Sequence, residues 1–109
     1  MCGICGFIGY DNCYQYLING LIQLQNRGYD SAGICLINDK GYLIKKYATT
    51  QEMTAVNILA NDENRRYFNQ DDDHDKSIGI AHTRWATHGA KTDQNSHPHI
   101  CYRNKFSLV

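Results

Sequence analysis

Two short constellations carry side chains able to do covalent or ligand-holding chemistry. The first is the opening Cys2-Gly3-Ile4-Cys5-Gly6. Removal of Met1, expected because the second side chain is small, leaves a thiol and a free α-amine on one residue. A thiol has a reference pKa of about 8.5 and an α-amine about 7.7 to 8.0, so the amine can accept the thiol proton near neutrality. One residue then supplies both nucleophile and base. Two other readings of the same residues stay open: Cys2 as an ordinary small residue near a terminus, and Cys2 with Cys5 as a CxxC redox or zinc element. A zinc site needs four ligands, and His82, His88, His97 and His99 do not form a second compact pair at a familiar spacing, so no metal is expected.

The second constellation is Ala81-His82-Thr83-Arg84-Trp85-Ala86-Thr87-His88-Gly89, which follows directly on an apolar, strand-like segment. Junctions of this kind are where a rigid scaffold presents functional side chains. Arg84 offers a planar fork of donors suited to a carboxylate, and Trp85 a broad apolar surface able to act as a lid. From the residues alone, Arg84 serves equally as a structural ion-pair partner, Trp85 as core, and the histidines as satisfied core or surface groups.

The elements that have to position these groups follow from hydrophobic periodicity. Met1 to Gly9 reads as a short strand. A helix follows, capped by Asp11 or Asn12, with Leu17, Ile18, Leu21, Ile22 and Leu24 on one face and Gly28 as its C-terminal stop. Ala32 to Asn38 and Tyr42 to Tyr47 read as a hairpin around Asp39-Lys40-Gly41. A second helix is expected over Gln51 to Ala60, with Thr50 as its cap. Asn61 to Lys76, with Asp71, Asp72, Asp73 and Asp75, reads as a solvated loop, since it lacks the glycine-hinged alternation of a calcium loop. Ser77 to His82 is a strand, Thr83 to Pro98 a polar loop, and Asn104 to Val109 a further apolar segment at which the chain stops. Helices and hairpins in this order predict an α+β fold.

Composition narrows the function classes. With 109 residues, 42% apolar, the chain matches one small globular domain rather than a disordered or fibrous one. Eleven basic residues balance eleven acidic ones, so there is no basic stripe of the kind a nucleic acid or an anionic membrane would demand. The apolar stretches fall far short of the roughly 20 residues that span a bilayer, and the N-terminus has no signal-like region, so a cytoplasmic chain is expected. Five cysteines is an odd number at irregular spacing, which favours reduced thiols over a disulfide scaffold.

Four segments, in order, carry a resemblance: Cys2 to Gly6, LQNRGYDSAGI (Leu24 to Ile34), GIAHTRWATHG (Gly79 to Gly89) and NSHPH (Asn95 to His99). Together they resemble the glutaminase domain of the glucosamine-6-phosphate synthase family, the isomerizing glutamine-fructose-6-phosphate aminotransferases, over essentially the whole chain. Purine amidophosphoribosyltransferases share the N-terminal cysteine but typically show RGQ where Arg27-Gly28-Tyr29 stands and Arg-Tyr-Ser-Thr where Arg84-Trp85-Ala86-Thr87 stands. The resemblance implies a class II glutamine amidotransferase domain over 1–109, an N-terminal-nucleophile hydrolase with a four-layer αββα sandwich, present in part. It implies that Cys2 attacks the glutamine side-chain amide, that Arg84 binds the glutamine α-carboxylate with Thr87 and His88 adding polar contacts, that Trp85 closes over the substrate, and that Arg27 orders the nucleophile.

The resemblance also implies amino-sugar biosynthesis, no cofactor, and glutamine as ligand. Fructose 6-phosphate would enter only through isomerase domains that this sequence lacks, and a homo-oligomer would belong to the full-length enzyme. In the family, the oxyanion donors are an Asn-Gly pair in a His-Asn-Gly motif just after the strand at which this chain ends. Two expectations of different class follow: the front part of a glutamine-hydrolysing domain, inactive alone because the oxyanion Asn-Gly pair is missing, or a truncated, catalytically inactive remnant that serves as a binding module or has no activity.

Overall fold

The computed structural model describes residues 1–38, 41–69, 77–103, 105 and 107–109. Four strands, β1 (Gly3–Gly9), β2 (Ser31–Asn38), β3 (Gly41–Ala48) and β4 (Ser77–Arg84), form an antiparallel sheet in the order β1-β4-β2-β3. Three helices, α1 (Cys13–Leu24), α2 (Ala55–Leu59) and α3 (Asp62–Phe68), pack on one face, and a two-stranded ribbon, β5 (His99–Ile100) with β6 (Ser107–Leu108), follows β4. The expected α+β class holds, with a helical layer, a sheet and the ribbon.

Strand alternation assigns the two faces of the sheet. The helix side receives Ala32, Ile34 and Leu36 from β2 and Ala81 from β4, packed with Cys13, Tyr14, Leu17, Ile18 and Leu21 of α1, Ala55, Val56 and Leu59 of α2 and Phe68 of α3. Tyr14 is buried with its hydroxyl donating to the Leu59 carbonyl at 2.7 Å, so its polar end is satisfied, and its ring stacks on Phe68 at 5.1 Å. The other side carries Ser31, Gly33, Cys35, His82 and Arg84, along with Ile4, Ile8 and Ile78, which stay exposed.

The helices differ from expectation in their ends. Asn12 caps α1, its side chain accepting the Gln15 N–H at 3.0 Å, but the helix stops at Leu24 rather than at Gly28, and Ile22 faces solvent while Cys13 and Tyr14 join the core. Thr50 caps no helix; its hydroxyl accepts the Met53 N–H at 3.0 Å in a local turn, and Thr54 caps α2 four residues later. Asn61 to Phe68 is not loop: Asn61 caps α3, and Asp62 and Glu63 in the first turn with Arg65 and Arg66 in the last complement the helix dipole. Only Phe68 and Asn64 of α3 are buried, which is why hydrophobic periodicity passed over it. The β2–β3 hairpin forms as expected, closing on Asn38↔Gly41, and β4 runs two residues further than expected, to Arg84. The expected turn at Asp39-Lys40 and the acidic run at 71–75 lie outside the described residues.

Leu21 is fully enclosed between helix and sheet, whereas Ile22 is nearly half exposed one residue later. Leu21→Ala is therefore expected to lower unfolding free energy by about 2 to 5 kcal/mol and Ile22→Ala by no more than about 1. Urea denaturation of both variants checks this, and equal losses would overturn the assignment of the buried face.

Candidate active site

The β1–β4 pairing decides where the N-terminal thiol stands. Gly3 is opposite Thr83, so the same antiparallel register carries Cys2 level with the end of β4. There the Trp85 backbone N–H points at Cys2 Sγ at 3.4 Å, and the Trp85 carbonyl lies 3.9 Å from the same sulfur. Among the five cysteines, none bridged, Cys2 is the exposed one. Cys13 and Cys35 are buried, and Cys5 lies beneath α1 with its Sγ against the Leu17 carbonyl at 3.8 Å. Burial pushes the Cys5 and Cys35 thiols up, and pushes Cys13, with Cys5 beside it, up to about 12. Cys2 and Cys5 therefore occupy different environments, which removes the CxxC reading. Among the described residues there is no cluster of three or more His, Cys, Asp or Glu able to hold a metal ion.

Gly28 makes this junction close. A Cβ there would lie 2.6 Å from the Arg84 carbonyl carbon and 2.8 Å from the Trp85 nitrogen, so the backbone of the turn after α1 lies directly on the backbone that addresses Cys2. This replaces the role of helix stop that sequence assigned to Gly28. Next to it, Arg27 reaches the N-terminus, with its guanidinium 3.2 Å from Met1 Sδ. Tyr29 meets Trp85 edge to face at 6.0 Å.

Arg84 is buried, and two of its N–H groups fold its own loop: one donates to the Ala90 carbonyl at 3.2 Å and another to the His88 carbonyl. Guanidinium carries five such donors, so this engagement does not exhaust it. Thr87 and His88 sit in the exposed part of the loop, as does Trp85. The structure thus brings Cys2, Arg27, Arg84 and Trp85 to one end of the sheet, with Thr87 and His88 on the loop beyond it.

Asp30 and Lys91 were not singled out from sequence. The Asp30 carboxylate accepts the Ala86 N–H at 2.8 Å and the Lys91 ammonium at 2.8 Å. Burial alone would raise its pKa, but Lys91, the Ala86 N–H and Arg84 outweigh that and hold the carboxyl below its ordinary value. The one available signal was an aspartate in the Gly-Tyr-Asp-Ser run between helix and strand, and its two partners lie more than 50 residues away in sequence.

A second cluster forms on the same sheet face. The His82 and His97 rings lie 4.4 Å apart and the His97 and His99 rings 4.6 Å apart. The strap 94–100 is held there from both sides. A Cβ on Gly33 would collide with the His97 carbonyl, and the Lys46 ammonium donates to the Ser96 and Gln94 carbonyls at 2.9 and 3.3 Å. Burial, then His97, Arg84 and His99, push the His82 imidazole down to about 4, and burial with neighbouring cations lowers His97 and His99 as well. Nδ1 of both His82 and His97 is buried without a hydrogen-bond partner among the described residues.

Over its whole length the chain is 44% identical to glutamine–fructose-6-phosphate aminotransferases (isomerizing) of Staphylococcus epidermidis, across 110 residues, and of Staphylococcus aureus, across 109. It spans 16% of the length of each of these relatives. No protein-family model matches it. No described helix is long and apolar enough to cross a membrane.

The lowered histidines give stability a pH dependence. Folded His82 titrates near 4 and an unperturbed imidazole near 6.5. Between those values the unfolded chain binds a proton that the folded one does not, so stability falls as pH drops through that window. The urea midpoint is expected to be lower at pH 5 than at pH 7.5, and His82→Gln is expected to flatten the difference. A midpoint independent of pH over this range would contradict the neutral stack. The sequence comparison, covering every residue of the chain, makes it a relative of the isomerizing glutamine–fructose-6-phosphate aminotransferases in the portion it spans.

Proposed function

We propose that residues 1–109 form the glutamine-binding front of a class II glutamine amidotransferase domain, with Cys2 as its nucleophile. The observation that carries this reading is the meeting of an exposed N-terminal thiol with the Trp85 backbone N–H, at the junction held by Arg84. The similarity to enzymes named for using glutamine and fructose 6-phosphate supports it.

In this reading the Cys2 α-amine, free once Met1 is removed, takes the thiol proton. The thiolate attacks the δ-carbonyl carbon of glutamine, and the carbonyl electrons move to oxygen as the C–S bond forms. Collapse breaks the C–N bond, and the amine proton leaves with ammonia. Water then hydrolyses the γ-glutamyl thioester to glutamate and restores the thiol. Arg84 directs its remaining donors to the α-carboxylate, and Thr87 and His88 add polar contacts. Trp85 covers the ligand and excludes water, and Arg27 steadies the N-terminus. Delivery of the ammonia to fructose 6-phosphate, as amino-sugar synthesis requires, belongs in this proposal to a longer enzyme in the cytoplasm.

A diazo-ketone analogue of glutamine should alkylate Cys2 and leave Cys5, Cys13, Cys35 and Cys101 unmodified, with free glutamine slowing the reaction. Peptide mass spectrometry reads the site of labelling, and intact mass reads whether Met1 is gone. Equal labelling of the five thiols, or labelling indifferent to glutamine, would remove the special standing of Cys2.

A further inference from the structure

Asp30 spends every polar group it has on the junction beside Cys2. Its backbone N–H donates to the Arg84 carbonyl at 3.1 Å and its carbonyl accepts the Thr49 N–H at 2.9 Å, which ties the ends of β2, β3 and β4 together. Its two carboxylate oxygens then leave the sheet and take hold of the loop after β4: one receives Ala86 N–H, the other Lys91 Nζ. Ala86 is the residue after Trp85, whose N–H addresses the sulfur. Lys91 is the residue after Ala90, whose carbonyl is held by both Arg84 and Asn95. One carboxylate therefore grips the outgoing and the returning limb of the segment that carries Trp85, Thr87 and His88. Its side chain is only 11% exposed, while the Lys91 side chain is 62% exposed.

This asymmetry separates two contributions. The Lys91 ammonium lowers the Asp30 pKa across a 2.8 Å contact, but it sits on a mostly exposed side chain of the returning limb and does not reach the first turn. A charge-assisted bond from a main-chain N–H to a mostly buried carboxylate is short and directional. The Ala86 bond is thus the one that fixes the loop's first turn. We propose that Asp30 is a positioning residue: by holding Ala86, it sets where the Trp85–His88 segment stands relative to Cys2, and so governs the affinity of the site for its amino-acid ligand rather than the reactivity of the thiol. The ligand in this statement rests on the glutamine reading above; the hold on the loop does not.

The test reads the two separately. In Asp30→Ala, the half-saturating concentration of the glutamine-like diazo-ketone at Cys2 is expected to rise about tenfold, the size of one lost bond to a charged group, with the limiting labelling rate changed less than about threefold. Iodoacetamide, which needs no ligand site, should modify Cys2 at a rate within about twofold of the parent chain. The Ala86 amide should exchange with solvent at least about tenfold faster, because its acceptor is gone. Lys91→Met should move the half-saturation less than about threefold. Asp30→Asn, which keeps the side-chain volume and one acceptor oxygen, is expected to fall between parent and Asp30→Ala and carries the test if the alanine variant does not fold.

Unchanged half-saturation and unchanged Ala86 exchange in the Asp30 variants would overturn the proposal. So would a parallel fall in the limiting rate and in the iodoacetamide rate, which marks a general loss of structure. If the parent chain shows no preference for Cys2, the glutamine reading fails by itself, and the Ala86 exchange rate still decides whether Asp30 holds the loop.

Discussion

The antiparallel register between β1 and β4 is the constraint on which the site depends. Seven consecutive pairs, from Gly3↔Thr83 to Gly9↔Ser77, fix the first strand against the fourth. Side chains alternate faces with a period of two, so a slip of one residue would lift Cys5 and Phe7 out of the helix-side packing and move Cys2 away from the end of β4. The hydrophobic set therefore specifies the register, and the register in turn sets the position of the thiol. The chemistry at Cys2 is positioned by burial energy gained several residues away, along a strand whose own apolar content is modest.

The charged groups at the junction obey the same economy. Arg84 is buried and Asp30 nearly so, and such groups are tolerated only where their hydrogen bonds are satisfied. Both satisfy that demand with backbone groups of one loop: Arg84 with the carbonyls of His88 and Ala90, Asp30 with the N–H of Ala86. Cation takes carbonyls and anion takes an amide, each matching the dipole it faces. The loop is consequently shaped from beneath by two opposite charges, while its own side chains, Trp85, Thr87 and His88, remain turned to solvent. A loop held in this way can offer exposed groups without a hydrophobic core of its own.

Much of this was legible in the sequence, for reasons that differ by residue. The α1 face at Leu17, Ile18 and Leu21, the hairpin around 39–40 and the strand before Arg84 were readable because burial imposes periodicity on local sequence. The α3 helix was not, because its stability draws on capping by Asn61 and on charges at its ends rather than on an apolar stripe. Gly28 illustrates a second limit. Its position after a helix suggested a chain stop, yet its glycine identity answers to the backbone of Arg84 and Trp85, more than 50 residues away. Asp30 was silent for the same reason, since no local pattern encodes the approach of Ala86 and Lys91.

The histidine stack shows how the two ends of the site are coupled. His82 belongs to β4, two residues before Arg84, while His97 and His99 belong to the strap that follows the loop. Their rings pack at contact distance with Arg84 and Lys46 nearby, an arrangement that tolerates neutral imidazoles and opposes charged ones. The strap thus docks through stacking, through the space left by Gly33 and through the Lys46 ammonium on its carbonyls. Since the same chain runs from Arg84 through Asp30's partners and into this strap, the loop is anchored at its start by charge and at its end by neutral packing. Acid therefore works against the second anchor, since charging the imidazoles opposes their packing, whereas Asp30, held below its ordinary value by Lys91 and the Ala86 N–H, keeps its charge further into acid than a free carboxylate does.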